Sequence, residues 1–277
     1  MEQINHTEYL TGGVEKLVRE RRSVRTFDGR ELTVEDREKL CAFMKTIENP
    51  YGLPIEFKLL EKMSCPVVVG TQLYVGAKMK EAPRLNEAFG YAFEVLVLYA
   101  QSLGIGTVWI GGTMDRAAFE TAMELGENEV MPCVSPLGYP AKKMSLRESM
   151  MRKGIKADER LAFEDISYRN NFLQPLTPDA AGKLFLPLEM VRLAPSAVNK
   201  QPWRMIVTEE AVHFYLQRSK GFSGGNLDMQ KMDLGIALCH FELMAKELGI
   251  YTEFVIAEPS ISCKDGAEYI ASYLYKM

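Results

Sequence analysis

Three arginines and a serine stand close together in the segment Arg21-Arg22-Ser23-Val24-Arg25. The predicted helix over residues 13–22 gives way to a loop here, so these side chains form a dense group of hydrogen-bond donors. A guanidinium group can bind a phosphate through two parallel hydrogen bonds and can also stack flat against an aromatic ring. The segment therefore indicates an anion site, although a solvated basic helix end is a commoner origin of such a pattern.

A second segment of unusual composition reads Ala194-Pro-Ser-Ala-Val-Asn-Lys-Gln-Pro-Trp203. Its two prolines stiffen a loop between a predicted helix and a predicted strand, because proline fixes the backbone angle φ. Short polar side chains then project from a rigid backbone, which is typical of turns and of binding loops. For an arbitrary sequence, the simpler alternative is a rigid surface loop.

Together, the two segments resemble the signature motifs of the FMN-dependent nitroreductase family. Members of that family usually carry both motifs near the N-terminus and build each flavin site across a dimer interface, whereas here about 170 residues separate them. The resemblance implies that the first motif contacts the FMN phosphate and pyrimidine edge, and that the second approaches the isoalloxazine ring from the opposite side. The residues assigned in this way are Arg21, Arg22, Ser23, Arg25, Pro195, Ser196, Ala197, Asn199 and Gln201.

A glycine-rich predicted strand, Leu103-Gly-Ile-Gly-Thr-Val-Trp-Ile-Gly-Gly112, forms a third block. It is not a dinucleotide-binding fingerprint, because tryptophan stands where the third glycine should be. In the resembled family, the N–H group of a glycine at the end of this strand faces flavin N5, and a side chain there would obstruct the ring. By this resemblance we assign Ile110, Gly111 and Gly112 to the flavin site.

A basic segment follows Gly138-Tyr-Pro140, where the resembled family commonly places phosphate ligands. Lys143 and Arg147 are the candidates, with Lys142 as a weaker third. The proline-rich spacing usual in the family is absent. Residues 142–160 show little apolar periodicity and are interpreted as either a solvated linker or an anion-binding arm.

The chain also contains an internal repeat. Residues 90–105 and 235–250 share seven identities in sixteen positions without a gap, at an offset of 145. A second pair of blocks, residues 32–40 and 176–184, agrees at an offset of 144. Chance similarity between amphipathic helices is the alternative, but two blocks in the same order favour a duplication.

The repeat and the resemblance imply two nitroreductase-like halves, residues 1–150 and 151–277. The first half keeps the arginine motif, the glycine pair and the basic arm, while residues 48–54 replace the proline loop. The second half keeps the proline loop, while residues 167–172 replace the arginine motif. We expect one FMN site between the halves, no symmetry-related second site, and a monomer that imitates the family homodimer.

Apolar periodicity and turn residues predict alternating helices and strands. Together with the resemblance, they predict an α+β, nitroreductase-like fold with mostly antiparallel sheets flanked by helices. Helices are expected over residues 13–22, 84–103, 115–125, 178–193 and 229–248, with a further helix capped by Thr33. Strands are expected over residues 55–60, 66–69, 105–110, 204–207, 212–217 and 251–257.

Composition restricts the possible partners and the compartment. With 33 Lys and Arg against 37 Asp and Glu, the net charge of −4 favours neither nucleic acid nor an anionic membrane. The N-terminus lacks a secretory pattern, and no apolar run approaches the roughly 18 residues of a membrane helix. Five cysteines without close spacing read as reduced thiols, so we expect a cytoplasmic protein.

Two competing site types fit the sequence poorly. Residues 221–225 match the Gly-x-Ser-x-Gly motif of hydrolases, but the histidine that follows, His240, lies within a predicted buried helix. The three histidines show no metal-ligand spacing. His240 is interpreted as a core histidine, and no metal site is predicted.

The resemblance implies an FMN-dependent oxidoreductase that takes hydride from NADH or NADPH. Reduction of a small electron-poor acceptor, such as a nitroaromatic or a quinone, would follow in a ping-pong reaction. The flavin carries the chemistry, so no side chain is assigned a catalytic role. A non-catalytic FMN-binding protein for storage or sensing is the alternative.

Overall fold

Two long helices cross at the centre of the protein. The computed structural model describes residues 5–222, 227–262 and 266–276. Helix α3 comprises Leu85–Ser102 and helix α9 comprises Met229–Glu247; both are buried along most of their length. Shorter helices surround them: α1 Val14–Glu20, α2 Val34–Met44, α4 Arg116–Met123, α5 Leu146–Gly154, α6 Phe163–Ile166, α7 Pro178–Ala181 and α8 Phe185–Leu193.

One sheet flanks the helices on the side of the first half and is antiparallel throughout. Its strands are β1 Glu56–Leu60, β2 Tyr74–Lys80, β3 Glu129–Val130 and β4 Val134–Pro136. Strand β2 is central, because it pairs with β1 on one edge and with both β3 and β4 on the other.

A second sheet is built from residues of the second half. Its strands are β5 Ser167–Arg169, β6 Trp203–Val207, β7 Ala211–Leu216, β8 Tyr251–Val255 and β9 Glu268–Lys276. The order is β5-β6-β7-β9-β8, in which only the β5–β6 pair is parallel. The mostly antiparallel arrangement of both sheets agrees with the predicted α+β class.

The crossing of α3 and α9 depends on two glycines. A Cβ atom at Gly90 would lie 2.1 Å from the Met232 carbonyl oxygen, and one at Gly235 would lie 2.1 Å from the Glu87 carbonyl oxygen. Both distances are far shorter than any real contact, so the two backbones touch at these points. The contacts are related by the offset of 145 seen in the sequence repeat.

The two long helices also end alike. Gly104 and Gly249 adopt left-handed conformations with φ of 73° and 69°. The next N–H group, of Ile105 or of Ile250, donates at 2.9 Å to a carbonyl five residues earlier in each case. Glycine supplies this conformation without steric cost, which explains why both helices stop at the predicted position.

A charged group is buried between the helices. The Glu94 carboxylate accepts hydrogen bonds at 2.9 Å from Trp109 Nε1 and shares one of 2.9 Å with His240 Nε2. His240 Nδ1 lies 2.9 Å from the Met190 carbonyl oxygen, and Arg21 Nε lies 3.9 Å from Glu94. His240 is therefore a core histidine with both ring nitrogens partnered, as predicted.

Several elements differ from the sequence-based expectations. Residues 66–69 and 105–110 were expected to be strands, but they pair with other segments only at single positions, as isolated bridges. Strands β2 and β9 were not expected, and the basic segment contains helix α5 where a linker was one interpretation. Among the described residues, no helix is long and apolar enough to cross a membrane.

Replacing either glycine at the helix crossing should destabilise the protein. Gly90→Ala and Gly235→Ala must separate two backbones, so we expect each to lower the free energy of unfolding by about 1–3 kcal/mol or more. Gly154→Ala is the matched control, because a Cβ there meets nothing within 4 Å. Urea unfolding of the three variants measures the effect; equal midpoints for G90A and G154A would contradict the described crossing.

Candidate functional site

A cavity of about 290 Å³ lies beside the N-terminal half of α9. Segments that are distant in sequence meet at its walls: residues 23–25, residues 108–113, residues 195–198, helix α5 and helix α9. The lining residues predicted from the sequence are Ser23, Arg25, Ile110, Gly111, Gly112, Pro195, Ser196 and Ala197. The cavity therefore brings together parts of the three best-defined motifs.

The arginine motif reaches the cavity because its backbone is extended. Val24 N–H donates to the Thr107 carbonyl at 2.9 Å, and Ser23 forms a parallel bridge with Thr107. Side chains of an extended segment alternate between faces. Val24 is consequently buried in the core, while Ser23 and Arg25 line the cavity.

The Arg25 guanidinium has unmet hydrogen-bonding capacity. Its Nε and Nη1 atoms are buried and have no hydrogen-bond partner among the residues that the structure describes. Burial lowers the pKa of Arg25, and the nearby Glu148 carboxylate opposes that shift. Arginine nevertheless remains charged, so this wall of the cavity offers a cation with free donors to a bound anion or carbonyl oxygen.

Glu148 holds helix α5 against the arginine motif. Its Oε2 atom accepts hydrogen bonds from Thr26 Oγ1 at 2.7 Å and from Arg25 N–H at 3.3 Å. Its Oε1 atom lies 3.7 Å from Arg22 Nη1. Helix α5 is thereby fixed with Met151 and Ile155 on the cavity, a contribution that the sequence analysis missed.

The proline loop is held in an uncommon backbone conformation. Val198, Asn199 and Gln201 have positive φ values of 48°, 56° and 49°, which non-glycine residues rarely adopt. Ala197 N–H donates to Asp233 Oδ1 at 2.9 Å, and Gln201 N–H donates to Ser196 Oγ at 2.9 Å. These bonds compensate for backbone strain and fix the loop.

Asn199 and Gln201 anchor the loop and do not line the cavity. Asn199 Nδ2 donates to the carbonyl oxygens of Lys156 and Glu159, at 2.6 and 3.0 Å. Gln201 Oε1 accepts from Leu161 N–H at 2.9 Å. Their amides therefore bind the loop to the segment after α5, which differs from the direct flavin contact implied by the resemblance.

Gly111 and Gly112 form a cavity wall that carries no side chains. A Cβ at Gly112 would meet nothing within 4 Å, and the nearest atom to one at Gly111 is 3.6 Å away. Ile110 is fixed by two hydrogen bonds of 2.9 Å with Val134. Arg116 Nη2 also donates to the Gly111 carbonyl at 2.8 Å, so the backbone of this wall is held in place.

Four predicted basic residues lie outside the cavity lining. Arg21 is directed towards Glu94 in the core, and Arg22 faces Glu148. Lys143 is exposed, and Arg147 Nη1 donates to the Pro66 carbonyl at 2.6 Å. A role in holding a phosphate remains a prediction for all four.

Comparison with known proteins identifies the family. A family model described as "Putative TM nitroreductase" matches residues 13–245. This chain belongs to that nitroreductase family. No curated protein matches it.

One solved nitroreductase structure resembles the chain in fold over nearly its whole length, and others match about half of it. A "putative nitroreductase" from Thermotoga maritima is 20% identical, with a TM-score of 0.58, and the match covers 95% of this chain and 93% of that one. An FMN-dependent nitroreductase from Clostridium difficile is 17% identical, with a TM-score of 0.40, covering 50% of this chain and 94% of its own. A "Putative NADH dehydrogenase/NAD(P)H nitroreductase" from Bacteroides thetaiotaomicron is 21% identical, with a TM-score of 0.42. The match covers 49% of this chain and 91% of that one.

In this nitroreductase-family protein, side chains occupy part of the region related to the cavity by the repeat offset. Tyr51 stands where Pro195 stands in the second half, and its ring packs 4.9 Å from that of Phe254, the counterpart of Trp109. Beside Asn49 and Tyr91 an opening of only about 10 Å³ remains. Tyr51 and Phe254 thus occupy space in this region, whereas Arg84 and Glu87, which stand 145 positions before Met229 and Met232, line an open groove.

A wider groove elsewhere is less suited to a flavin. It has a volume of about 560 Å³ and is lined by residues 81–87, Val130, Lys231 and Glu268. Its charged side chains pair with one another, since Arg84 lies 3.2 Å from Glu87 and Lys231 lies 2.6 Å from Glu268.

The remaining predictions concern thiols, metals and the serine motif. Cys41, Cys65, Cys133 and Cys239 are free, while Cys263 lies outside the described residues. Residues 223–225 of the Gly-x-Ser-x-Gly segment also lie outside them. Within the described ranges, no three His, Cys, Asp or Glu side chains are grouped so that they could hold a metal ion.

The sequence analysis missed Asp233, a buried acid on the cavity wall. Burial raises the pKa of Asp233 well above that of an ordinary aspartate, the Ala197 N–H bond opposes this shift, and Asp228 adds to it. An aspartate between Met232 and Leu234 in an otherwise buried helix was the available signal.

The raised pKa of Asp233 predicts a specific pH dependence of stability. Above the ordinary aspartate pKa of about 3.9, the unfolded chain has released this proton while the folded protein retains it. The folded state then binds more protons, so stability falls as pH rises, by up to about 1.4 kcal/mol per pH unit, until the folded pKa is passed.

Asp233→Asn removes this titration. We expect the unfolding free energy of D233N minus that of the wild type to increase between about pH 5 and about pH 7. Urea unfolding at several pH values measures the difference. A difference that does not change with pH would show that Asp233 is ionised in the folded protein.

Proposed function

We propose that this protein is an FMN-dependent NAD(P)H oxidoreductase that reduces nitroaromatic, quinone or related electron-poor molecules. The observation that carries the proposal is the convergence of Arg25, Gly111 and Ser196 on one cavity from three separate segments. Membership of the nitroreductase family supports the reaction class.

The residues of the cavity fit a flavin. Arg25 offers buried donors without partners, as an anionic phosphate or a pyrimidine oxygen requires. Trp109, Val108 and Ile236 provide apolar walls for a flat ring, and Gly111 and Gly112 leave the backbone accessible. The volume of about 290 Å³ is close to the lower end of small-molecule sites, roughly 300–1,000 Å³.

Each motif would have a distinct role. Arg25 and Ser23 would bind the phosphate or the pyrimidine edge, while the backbone of residues 195–197 would lie against the other side of the ring. Bound FMN would accept hydride from NADH or NADPH and pass it on, which is the cofactor's own chemistry. The charged Arg25 would stabilise negative charge on the reduced ring.

We further propose that the chain arose by internal duplication and acts as a monomer with one site. The matched glycine contacts of α3 and α9 and their matched ends support two related halves, residues 1–150 and 151–277. The packing of Tyr51 on Phe254 supports the loss of the second site.

A non-catalytic FMN-binding role is the second candidate. The small cavity favours it, because Met151 and Ile155 of α5 leave limited space for a nicotinamide beside the flavin. Addition of NADH or NADPH to the FMN-loaded protein without oxygen distinguishes the two. Bleaching of the flavin absorbance within seconds supports the enzyme, and a stable yellow solution supports the binder.

Titration with FMN tests the site itself. Quenching of flavin fluorescence should saturate at one FMN per chain, because the arginine motif and the proline loop each occur once in the sequence. Saturation at two FMN per chain would contradict the single site, and absence of binding would contradict the proposed function.

Arg25→Ala should weaken FMN binding. Hydrogen bonds to charged groups contribute about 1.5–3 kcal/mol, so we expect the FMN Kd to rise about 10- to 100-fold. Arg30→Ala is the control, because the Arg30 side chain is 72% exposed and pairs with Asp28 outside the cavity. Equal FMN affinities for R25A and R30A would show that Arg25 does not bind FMN.

A further inference from the structure

Asp233 has a carboxyl oxygen for which the described residues provide no partner. The residue is 3% exposed and lines the cavity from helix α9. Its Oδ1 atom accepts the Ala197 N–H bond at 2.9 Å, whereas Oδ2 is buried without a hydrogen bond. A buried polar atom left without a partner costs about 1–3 kcal/mol, so its retention calls for an explanation.

The surroundings of Asp233 do not stabilise a negative charge. On its own helix, Asp228 is a like charge and is already paired with Arg218 at 2.6 Å. From α3, Glu87 is a further acid, paired with Arg84. Across the cavity, burial keeps Cys133 a neutral thiol by raising its pKa.

Arg25 is a cation that also lines the cavity, and within the described part of the chain it forms no ion pair with Asp233. Within the described ranges, no Lys, Arg or His nitrogen lies within 4 Å of the Asp233 carboxyl group. The neutral acid is therefore the favoured form, and a neutral carboxyl group carries an O–H donor. Oδ1 is engaged by Ala197, and Asp233 lines the cavity, so a molecule bound there can supply the acceptor for this donor.

The position of Asp233 indicates which molecule supplies the acceptor. Met229 and Val198 line the cavity and are also 46% and 52% exposed, so they mark its mouth. Asp233 lies one helical turn below Met229 on the same face of α9. Gly112 and Thr113 also line the cavity and are exposed, so the mouth adjoins the glycine wall. A molecule that enters after FMN has bound therefore reaches the site beside Met229, one helical turn from Asp233.

Resting on the proposed function, we propose that Asp233 donates a hydrogen bond to the electron acceptor and so determines its specificity. The site selects planar molecules that present an uncharged oxygen at the mouth, such as a quinone carbonyl or a nitro group. An aromatic frame of the same shape without such an oxygen leaves the Asp233 donor buried and unsatisfied, so it binds more weakly.

Binding of a matched pair of probes tests this assignment without turnover. Menadione carries two quinone carbonyls, and 2-methylnaphthalene is the same frame without them. Their affinities for the oxidised, FMN-loaded protein are measured from the change in flavin absorbance, with no NADH or NADPH present. We expect the wild type to prefer menadione by about 10-fold, as one hydrogen bond implies.

Two variants distinguish an effect of the Asp233 hydrogen-bond donor from an effect of the shape of the site. Asp233→Leu should abolish the preference for menadione. Because it also removes the acceptor of the Ala197 N–H bond, the readout is the ratio of the two affinities and not either affinity alone. Asp233→Asn keeps a donor and an acceptor for Ala197 N–H, so it should retain the preference. Asp179→Asn is the control, because Asp179 is exposed on α7 and the substitution should change neither affinity.

The pH dependence gives a second readout. Menadione affinity of the wild type should fall as pH rises and Asp233 ionises, while that of D233N should stay constant. The same pH dependence in wild type and D233N would overturn the proposal. So would a preference for menadione that survives in D233L, or a loss of FMN affinity in D233N with the preference unchanged, because the contact would then be with the flavin.

The infrared spectrum of the flavin-free protein distinguishes failure of this inference from failure of the proposed function. A protonated carboxylic acid band that is present in the wild type at neutral pH and absent from D233N supports the neutral donor even if FMN does not bind. Absence of that band overturns the inference even if FMN binds and is reduced.

Discussion

The close contact between the backbones of α3 and α9 is the constraint on which the cavity depends. Gly90 and Gly235 permit this contact, and any larger side chain would force the helices apart. Each helix then holds one wall. Glu94 on α3 binds the indole of Trp109, which leads into the glycine wall, and Asp233 on α9 binds the proline loop through Ala197. The helix crossing therefore sets the distance between the two walls.

The same cavity retains polar groups that the protein leaves unsatisfied. Arg25 on one wall has free donors, and Asp233 near the mouth has a free oxygen. Stable cores rarely keep such groups, because each costs free energy in the absence of a ligand. Such atoms also occur outside the cavity, for example at Tyr74 and Trp203, but Arg25 and Asp233 line the cavity where the three motifs meet. Their position in this cavity is the reason to assign different parts of the bound molecules to the two groups.

Much of this arrangement could be predicted from the sequence, and the limits have clear causes. Helices α3 and α9 were predicted within two residues, because long apolar faces ending in glycine are a strong signal. Helix α5 lacked that signal, since Leu146 and Met150 face solvent. The direction of the Asn199 and Gln201 side chains depends on positive φ values that proline spacing does not reveal. Residues 66–69 look like a strand but find a partner at only one position.

A crystal structure of the protein with bound FMN tests the central claim most directly. The isoalloxazine ring should lie between residues 110–112 and residues 195–197, with the Arg25 guanidinium within hydrogen-bond distance of a flavin or phosphate oxygen. Flavin density in the groove between residues 81–87 and Lys231, or a second flavin displacing the Tyr51 ring, would contradict the account.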